Sequence, residues 1–253
     1  MPGTRRLFLA KLLEWIALGL VAVVTAIRAA PMTPGWPFDL QGRVVEHYVL
    51  LVWTLNALAV LGKVLQWLWN AESKHRIKAV LNVLHEVCFR DMPRDERFHN
   101  RVTLFKKKTS WWRPRLRSFC RAGENYQRGI PSFAVDDNDE GGNEGLCGQA
   151  WFRDATVVVN DLPEVPSQAE GWDKSDEGCA RYVAAGFLSH AKSAGLRVKS
   201  RSILATPVRD FQGNKWGVLV VDSRSPGMID DRRKDLAESI ATALGKVLGR
   251  SAR

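Results

Sequence analysis

The chain has 253 residues, 37 of them Lys or Arg against 27 Asp or Glu, for a formal charge of +10 at pH 7. With 45% hydrophobic and 25% charged residues it has the composition of a folded protein, which excludes a disordered tail or a low-complexity polymer. The length suits one ordinary domain plus an anchor. No DNA- or RNA-binding motif accompanies the positive charge, so no DNA partner is expected and the cations fit the flanks of a membrane protein.

Charge is unevenly spread. Residues 1–70 hold six Lys/Arg and three Asp/Glu, and residues 71–253 hold 31 and 24. The step places a domain boundary near residue 70, with a two-helix transmembrane hairpin expected over 1–70. Leu7–Ile27 is apolar apart from Lys11 and Glu14, which lie three apart on one helix face and can pair. That is just the length of about 20 residues needed to cross the hydrocarbon core. His47–Trp69 is a second span, interrupted by Asn56, Lys63 and Gln66, with Trp67 and Trp69 where interfacial aromatics belong. Arg28–Glu46 connects the two, and Pro31, Pro34, Gly35 and Pro37 break the helix there. Arg5, Arg6 and Lys11 flank the first span, and Lys74, Arg76 and Lys78 follow the second. Both termini are therefore expected in the cytoplasm, with the chain multi-pass in the inner or plasma membrane. Thr4–Leu9 also resembles a twin-arginine signal with small residues at Ala29 and Ala30, a reading opposed by Lys11 and Glu14 within the apolar run.

From Ala71 to Phe89 the residues Ile77, Val80, Leu81, Leu84, Val87 and Cys88 recur at helical steps, and Met92-Pro93 ends the pattern. Residues 71–92 read as a linker helix. It either packs on its own domain or dimerises and couples the membrane to that domain, and a homo-oligomer is the expected state. Residues 93–253 form the soluble domain. Strands are expected over His99–Phe105, Leu116–Cys120, Thr156–Val159, Ser202–Val208 and Trp216–Asp222, the last two joined by a turn at Asp210–Asn214. Helices are expected over Arg181–Ala194 and Ile229–Gly249. The fold class is α+β, an antiparallel sheet flanked by helices and preceded by the membrane hairpin.

Five stretches in order carry a resemblance: Gly145–Ala150, Thr156–Asp161, Ser200–Val208, Gly213–Trp216 and Gly217–Asp222. Together they resemble the second half of a GAF domain over some hundred residues. The resemblance implies a six-stranded antiparallel sheet with helices on both faces. It also implies a pocket between sheet and helices for a small molecule, often a cyclic nucleotide. By that analogy the ligand-binding residues are Phe133, Trp151, Asn160, Asp161, Tyr182 and Ser202. Read as residues alone, Asn160 and Asp161 end an apolar strand, where a side-chain acceptor serves either a turn or a ligand. Pro207 stops the ladder on one side, which makes that strand end an edge or a bulge. Gly217 is small where another element can come close.

Other chemistry is weaker. Gly-Leu-Cys-Gly at 145–148 also resembles the GAF-fold free methionine-R-sulfoxide reductases. Where that family carries its reactive Cys this chain has Leu196, and a buried Cys147 is the plainer reading. The cysteines Cys88, Cys120, Cys147 and Cys179 form no C-x-x-C and read as reduced thiols, and no metal site is expected. Asp136–Gly141 resembles the start of a calcium loop, but its twelfth position is Cys147 in place of a Glu. Neither the Cys-His pair of bilin-binding GAF domains nor the phosphodiesterase cyclic-nucleotide signature can be placed. The hairpin Lys106, Lys107, Lys108, Trp111, Trp112, Arg113 and Arg115 combines cations with tryptophans and suits an anionic membrane surface, single-stranded nucleic acid or plain solvent.

No output domain follows the last helix in this sequence, so the expected route of action is through the membrane helices or a partner. The expectation is a non-enzymatic, membrane-anchored sensor or effector of a small molecule, with no cofactor named. In outline it resembles the nucleotide-gated transmembrane effectors of bacterial anti-phage systems. A localised protein-docking module and a divergent sulfoxide reductase using Cys147 are the alternatives.

Overall fold

A computed structural model describes residues 12, 15–26, 38–97, 99–109, 113–123, 132–166, 171–196 and 199–248. It divides into two compact units, one within the first 73 residues and the other over Lys74–Gly249.

Residues 15–26 form helix α1 in the first unit, and helix α2 runs from Phe38 in the first unit to Cys88 in the second. Two sequence expectations are corrected here. The helix begins at Phe38, not near His47, because the last helix-breaking proline is Pro37. The second span and the linker helix are one continuous 51-residue helix, because neither Gly nor Pro occurs between Gly62 and Pro93. Large apolar side chains lie open on both helices: Trp15, Ile16, Leu18 and Val23 on α1, and Val49, Leu50, Trp53 and Val60 on α2. The polar ones bond back to their own helix. Thr25 donates to the Val21 carbonyl at 2.8 Å, Thr54 to that of Leu50 at 2.9 Å and Asn56 to that of Val52 at 2.9 Å. Among the described residues no helix is long and apolar enough to cross a membrane. The expected span 7–27 lies partly outside those residues, and the expected span 47–69 lies wholly within α2.

The second unit is built on six strands: β1 (Arg101–Lys108), β2 (Arg115–Gly123), β3 (Ser132–Ala134), β4 (Val157–Val159), β5 (Ser202–Arg209) and β6 (Lys215–Ser223). They lie in the order β3-β2-β1-β6-β5-β4 with every pair antiparallel. The helices are α3 (Arg94–Arg97), α4 (Gly145–Arg153), α5 (Glu177–Gly186), α6 (His190–Gly195) and α7 (Asp231–Leu248). Alternation sends successive strand residues to opposite faces. Val102, Leu104, Leu204, Leu219 and Val221 pack with Ile77, Leu81 and Leu84 of α2 and Ala237, Ala241 and Leu244 of α7. Phe105, Leu116, Ala205, Val218 and Val220 form the other face and pack with Phe133 and with Leu146, Ala150 and Trp151 around α4. A smaller group, Leu162, Val165, Cys179 and Tyr182, lies under α5. Each fully buried Leu or Val contributes about 1.5–3 kcal/mol.

The helix expected over Arg181–Ala194 is two. Asp176 caps α5 by accepting from the Cys179 amide, Phe187 ends it at φ 52°, and Ser189 caps α6. Strand β3 has only three residues, too few for alternation to show. Pro207 sits where β5 has run past β4, whose pairing stops at Ala205, so its missing amide costs no bond on that side. A Cβ at Gly217 would collide with the Phe105 carbonyl oxygen, so β1 and β6 need glycine there.

Candidate functional site

The face under α4–α6 changes character along the strands. Near α4 it is apolar. Toward the start of β1 and the end of β6 it turns polar. Arg101 stands opposite Asp222 in register, and by alternation both side chains join Phe105 and Val220 on this face. Arg101 Nε donates to Asp222 Oδ1 at 2.8 Å, and Nη2 reaches the same oxygen and Ser200 Oγ at 3.0 Å. Ser200 Oγ donates to Asp222 Oδ1 at 2.8 Å. Next along β1, Thr103 accepts from Arg121 Nε at 3.0 Å. Asp222, Ser200 and Thr103 are all buried. A buried ion pair adds little net stability, but stripping one partner from it is costly.

Tyr182 of α5 borders this pair. Burial pushes its phenol up, the Asp222 charge adds to that, and Arg101 and the Ser200 backbone oppose it. Beyond Tyr182 lies an aromatic cover. The Trp172 ring stands edge-on to Tyr182 at 6.4 Å and to His190 at 6.5 Å, with the Lys199 ammonium 4.8 Å from its centre. Lys199 is held by the Ser193 and Ala194 carbonyls. Ser193 is fully buried.

The six residues proposed as ligand contacts do not form one pocket. Phe133 packs edge-on to Phe105 at 5.4 Å, inside the apolar cluster. Trp151 is buried, and its indole N–H donates to Asp137 Oδ1 at 2.8 Å. Asn160 is a clamp: its amide donates to the Ile229 carbonyl at 2.6 Å, and its oxygen accepts from the Ile229 amide at 2.9 Å. Ser202 bonds the Asn160 and Ser225 carbonyls and accepts from the Met228 amide. By alternation Ser202 shares the side of Leu204, which packs toward α7. Asp161 lies at an open groove of about 520 Å³ with Leu162, Pro163, Arg181, Ala184, Ala185 and Arg201. Tyr182 alone borders the polar end. Sequence reading passed over Arg101, Thr103, Trp172, His190, Ser193, Ser200 and Asp222. The one available signal was a charged residue within an otherwise apolar strand, at Asp222 after Val218–Val221 and at Arg101 before Val102.

The basic hairpin is partly structural. Lys107 pairs with Asp137 at 2.8 Å and lies 4.8 Å from the Trp151 ring centre, and Lys215 stands 5.5 Å from it. Burial acts to raise the Asp137 carboxyl, but the bonds from Lys107 and Trp151 and the Lys107 and Lys215 charges hold it below its usual range. Arg115 reaches Ser132 and Glu144. Burial also acts to raise Glu144, and Lys192, the Ala134 amide and Arg115 together lower it. Lys106 lies 5.1 Å from the Trp216 ring centre. Lys108 and Arg113 are exposed, and Trp111 and Trp112 lie outside the described residues.

All four cysteines are free and buried. Burial pushes the Cys88 thiol up to about 11 and raises Cys147 further still. Among the described residues no three His, Cys, Asp or Glu side chains gather as a metal site. The acidic run folds on itself, with Asn143 Nδ2 donating to the Asp136 carbonyl at 2.9 Å and also to that of Asp139.

Residues 113–248 match the family described as GAF domain. That is more than half of the chain, which therefore belongs to the GAF domain family. No curated protein matches it. Among solved structures, it is similar to a type II free methionine-R-sulfoxide reductase from Thermoplasma acidophilum, at 17% identity and TM-score 0.43, over 71% of this chain and 94% of that one. The free methionine-R-sulfoxide reductase of Staphylococcus aureus is similar at 18% identity and TM-score 0.39, over 68% and 83%. The GAF domain region of a proposed membrane protein from Geobacter sulfurreducens is similar at 14% and 0.43, over 70% and 96%. These likenesses assign no residue a role.

Proposed function

We propose that the chain is a membrane-anchored GAF sensor that binds a small molecule between the sheet and α5–α6 and signals through α2 or through oligomerisation. The observation that carries the reading is the polar end of the covered face. There Arg101, Asp222, Ser200 and Tyr182 meet beneath the cover of Trp172, His190 and Ser193. Pockets that bind small molecules pair an apolar wall with a few convergent polar groups. The apolar surfaces of α1 and α2 and their self-bonded polar side chains support the anchor. In this reading the GAF domain and both termini are cytoplasmic, and an anti-phage effector role is one biological setting for the sensor.

The test is a thermal-shift panel on the full chain in detergent, covering cyclic mono- and dinucleotides and amino acids. A dose-dependent rise in melting temperature marks binding to the native state. No shift with any compound favours the localised docking module. For the anchor, the full chain should stay in the membrane fraction through an alkaline carbonate wash, and release would contradict it. The sulfoxide-reductase alternative needs a Cys147 thiolate. Burial holds that thiol protonated, which disfavours it as a nucleophile.

A further inference from the structure

Three side-chain atoms near α5 and α6 are shut away from solvent with no hydrogen-bond partner among the described residues: Trp172 Nε1, His190 Nδ1 and Ser193 Oγ. Native interiors seldom leave such groups unpaired, and each isolated case needs an explanation. These three occur together. His190 and Ser193 are three apart on α6 and share a face, and the Trp172 ring stands against His190. Trp172 and His190 are half-buried, so the cluster borders the surface, while Ser193 is fully buried.

All three groups can present a proton. An indole N–H can only donate, a serine hydroxyl brings a proton, and an imidazole Nδ1 donates in one tautomer or when the ring is charged. The Lys199 ammonium lies over the Trp172 ring and adds positive charge. The Asp222 carboxylate beside Tyr182 is already taken by Arg101 and Ser200. We infer that this cluster recognises the oxyanion group of a small molecule, a carboxylate or a phosphate, with Trp172 Nε1, His190 Nδ1 and Ser193 Oγ as donors beside the Lys199 charge. This inference rests on the reading that the α5–α6 side takes a small molecule, and it narrows what that molecule must carry. Charge-assisted bonds of this kind are the stronger ones, and water is excluded where the three donors end.

The experiment uses the full chain in detergent, labelled with 15N at the tryptophan indoles and titrated at constant ionic strength with sodium acetate, inorganic phosphate and neutral acetamide. The Trp172 resonance is assigned by its loss in Trp172→Phe. It should move and saturate with acetate or phosphate, and whichever binds tighter separates the two sources of the oxyanion. Acetamide should leave it in place. Ser193→Ala should weaken anion binding about tenfold or more. The same variant should raise the melting temperature of the ligand-free chain, because it removes a buried hydroxyl that has no partner. A Trp172 resonance unmoved by both anions, or moved equally by acetamide, overturns the assignment. So does a fall in the melting temperature of ligand-free Ser193→Ala, which would mean that the hydroxyl is already bonded. If neutral compounds in the thermal-shift panel bind while the oxyanions do not, the small-molecule pocket stands and only the oxyanion falls. If nothing in that panel binds, both fall.

Discussion

The two faces of the sheet are built from the same strands but serve different ends. The face under α2 and α7 is closed by aliphatic packing, with Leu104, Leu204, Leu219 and Val221 meeting Leu81, Leu84, Ala241 and Leu244. The face under α4–α6 begins the same way, with Phe105, Val218 and Val220. It then gives way to Arg101, Thr103 and Asp222 on the same strands. One face holds the fold. The other gives up apolar packing for a polar network, in keeping with the proposed binding site.

Substitutions on the two faces should separate these roles. The largest effect is expected from Arg101→Met, which strands Asp222 without its partner and should destabilise the domain by about 3–5 kcal/mol. Combining it with Asp222→Leu should recover most of that loss. Chemical denaturation measures both, and an unrecovered double variant would show that the pair contributes more than mutual neutralisation. Leu219→Ala on the α7 face should cost about 2–5 kcal/mol through its cavity and leave ligand affinity intact. A loss of affinity equal to that of the polar-face variants would erase the distinction between the faces. Asn160→Ala removes both bonds to the Ile229 backbone. It should cost about 1–3 kcal/mol and act on stability alone.

A smaller effect concerns acid. Asp137 and Glu144 have carboxyls held below their ordinary values of 3.8 and 4.5 by lysine partners. Folded-state pKa values below the unfolded ones give stability that is present above the unfolded values and lost as pH falls through the folded ones. Stability should thus be level with respect to these groups above about pH 5 and decline below about pH 4. Asp137→Asn should flatten part of that decline. Because Asp137 is nearly half exposed, its ion pair with Lys107 is worth about 1 kcal/mol or less. An acid limb unchanged by the substitution would place the titrating groups elsewhere.

Much of the sheet was legible in the sequence. The β-branched run at Val157–Val159, the aliphatic run at Val218–Val221 and the turn after Arg209 gave strands close to those found, and Pro207 foretold where β5 leaves its neighbour. The site was far less legible. Asn160 looked like a strand-end acceptor that could face a turn or a ligand, and the structure shows it tied to the chain 69 residues later. Arg101 and Asp222 lie 121 residues apart in sequence. Their meeting depends on β1 lying beside β6, a pairing that no local pattern encodes. The break between α5 and α6 rests on the short Phe187–Ser189 link, which the helical run on either side concealed. Beyond that break α6 carries His190, which stands against Trp172, and Ser193.

The most direct test is hydrogen–deuterium exchange on the full chain with and without a deproteinised small-molecule extract of bacterial cells. Protection confined to residues 171–196 and 199–206, with α7 unchanged over Asp231–Leu248, is the predicted result. No protection, or protection on the α7 face instead, would contradict the assignment of the polar face as the sensor site.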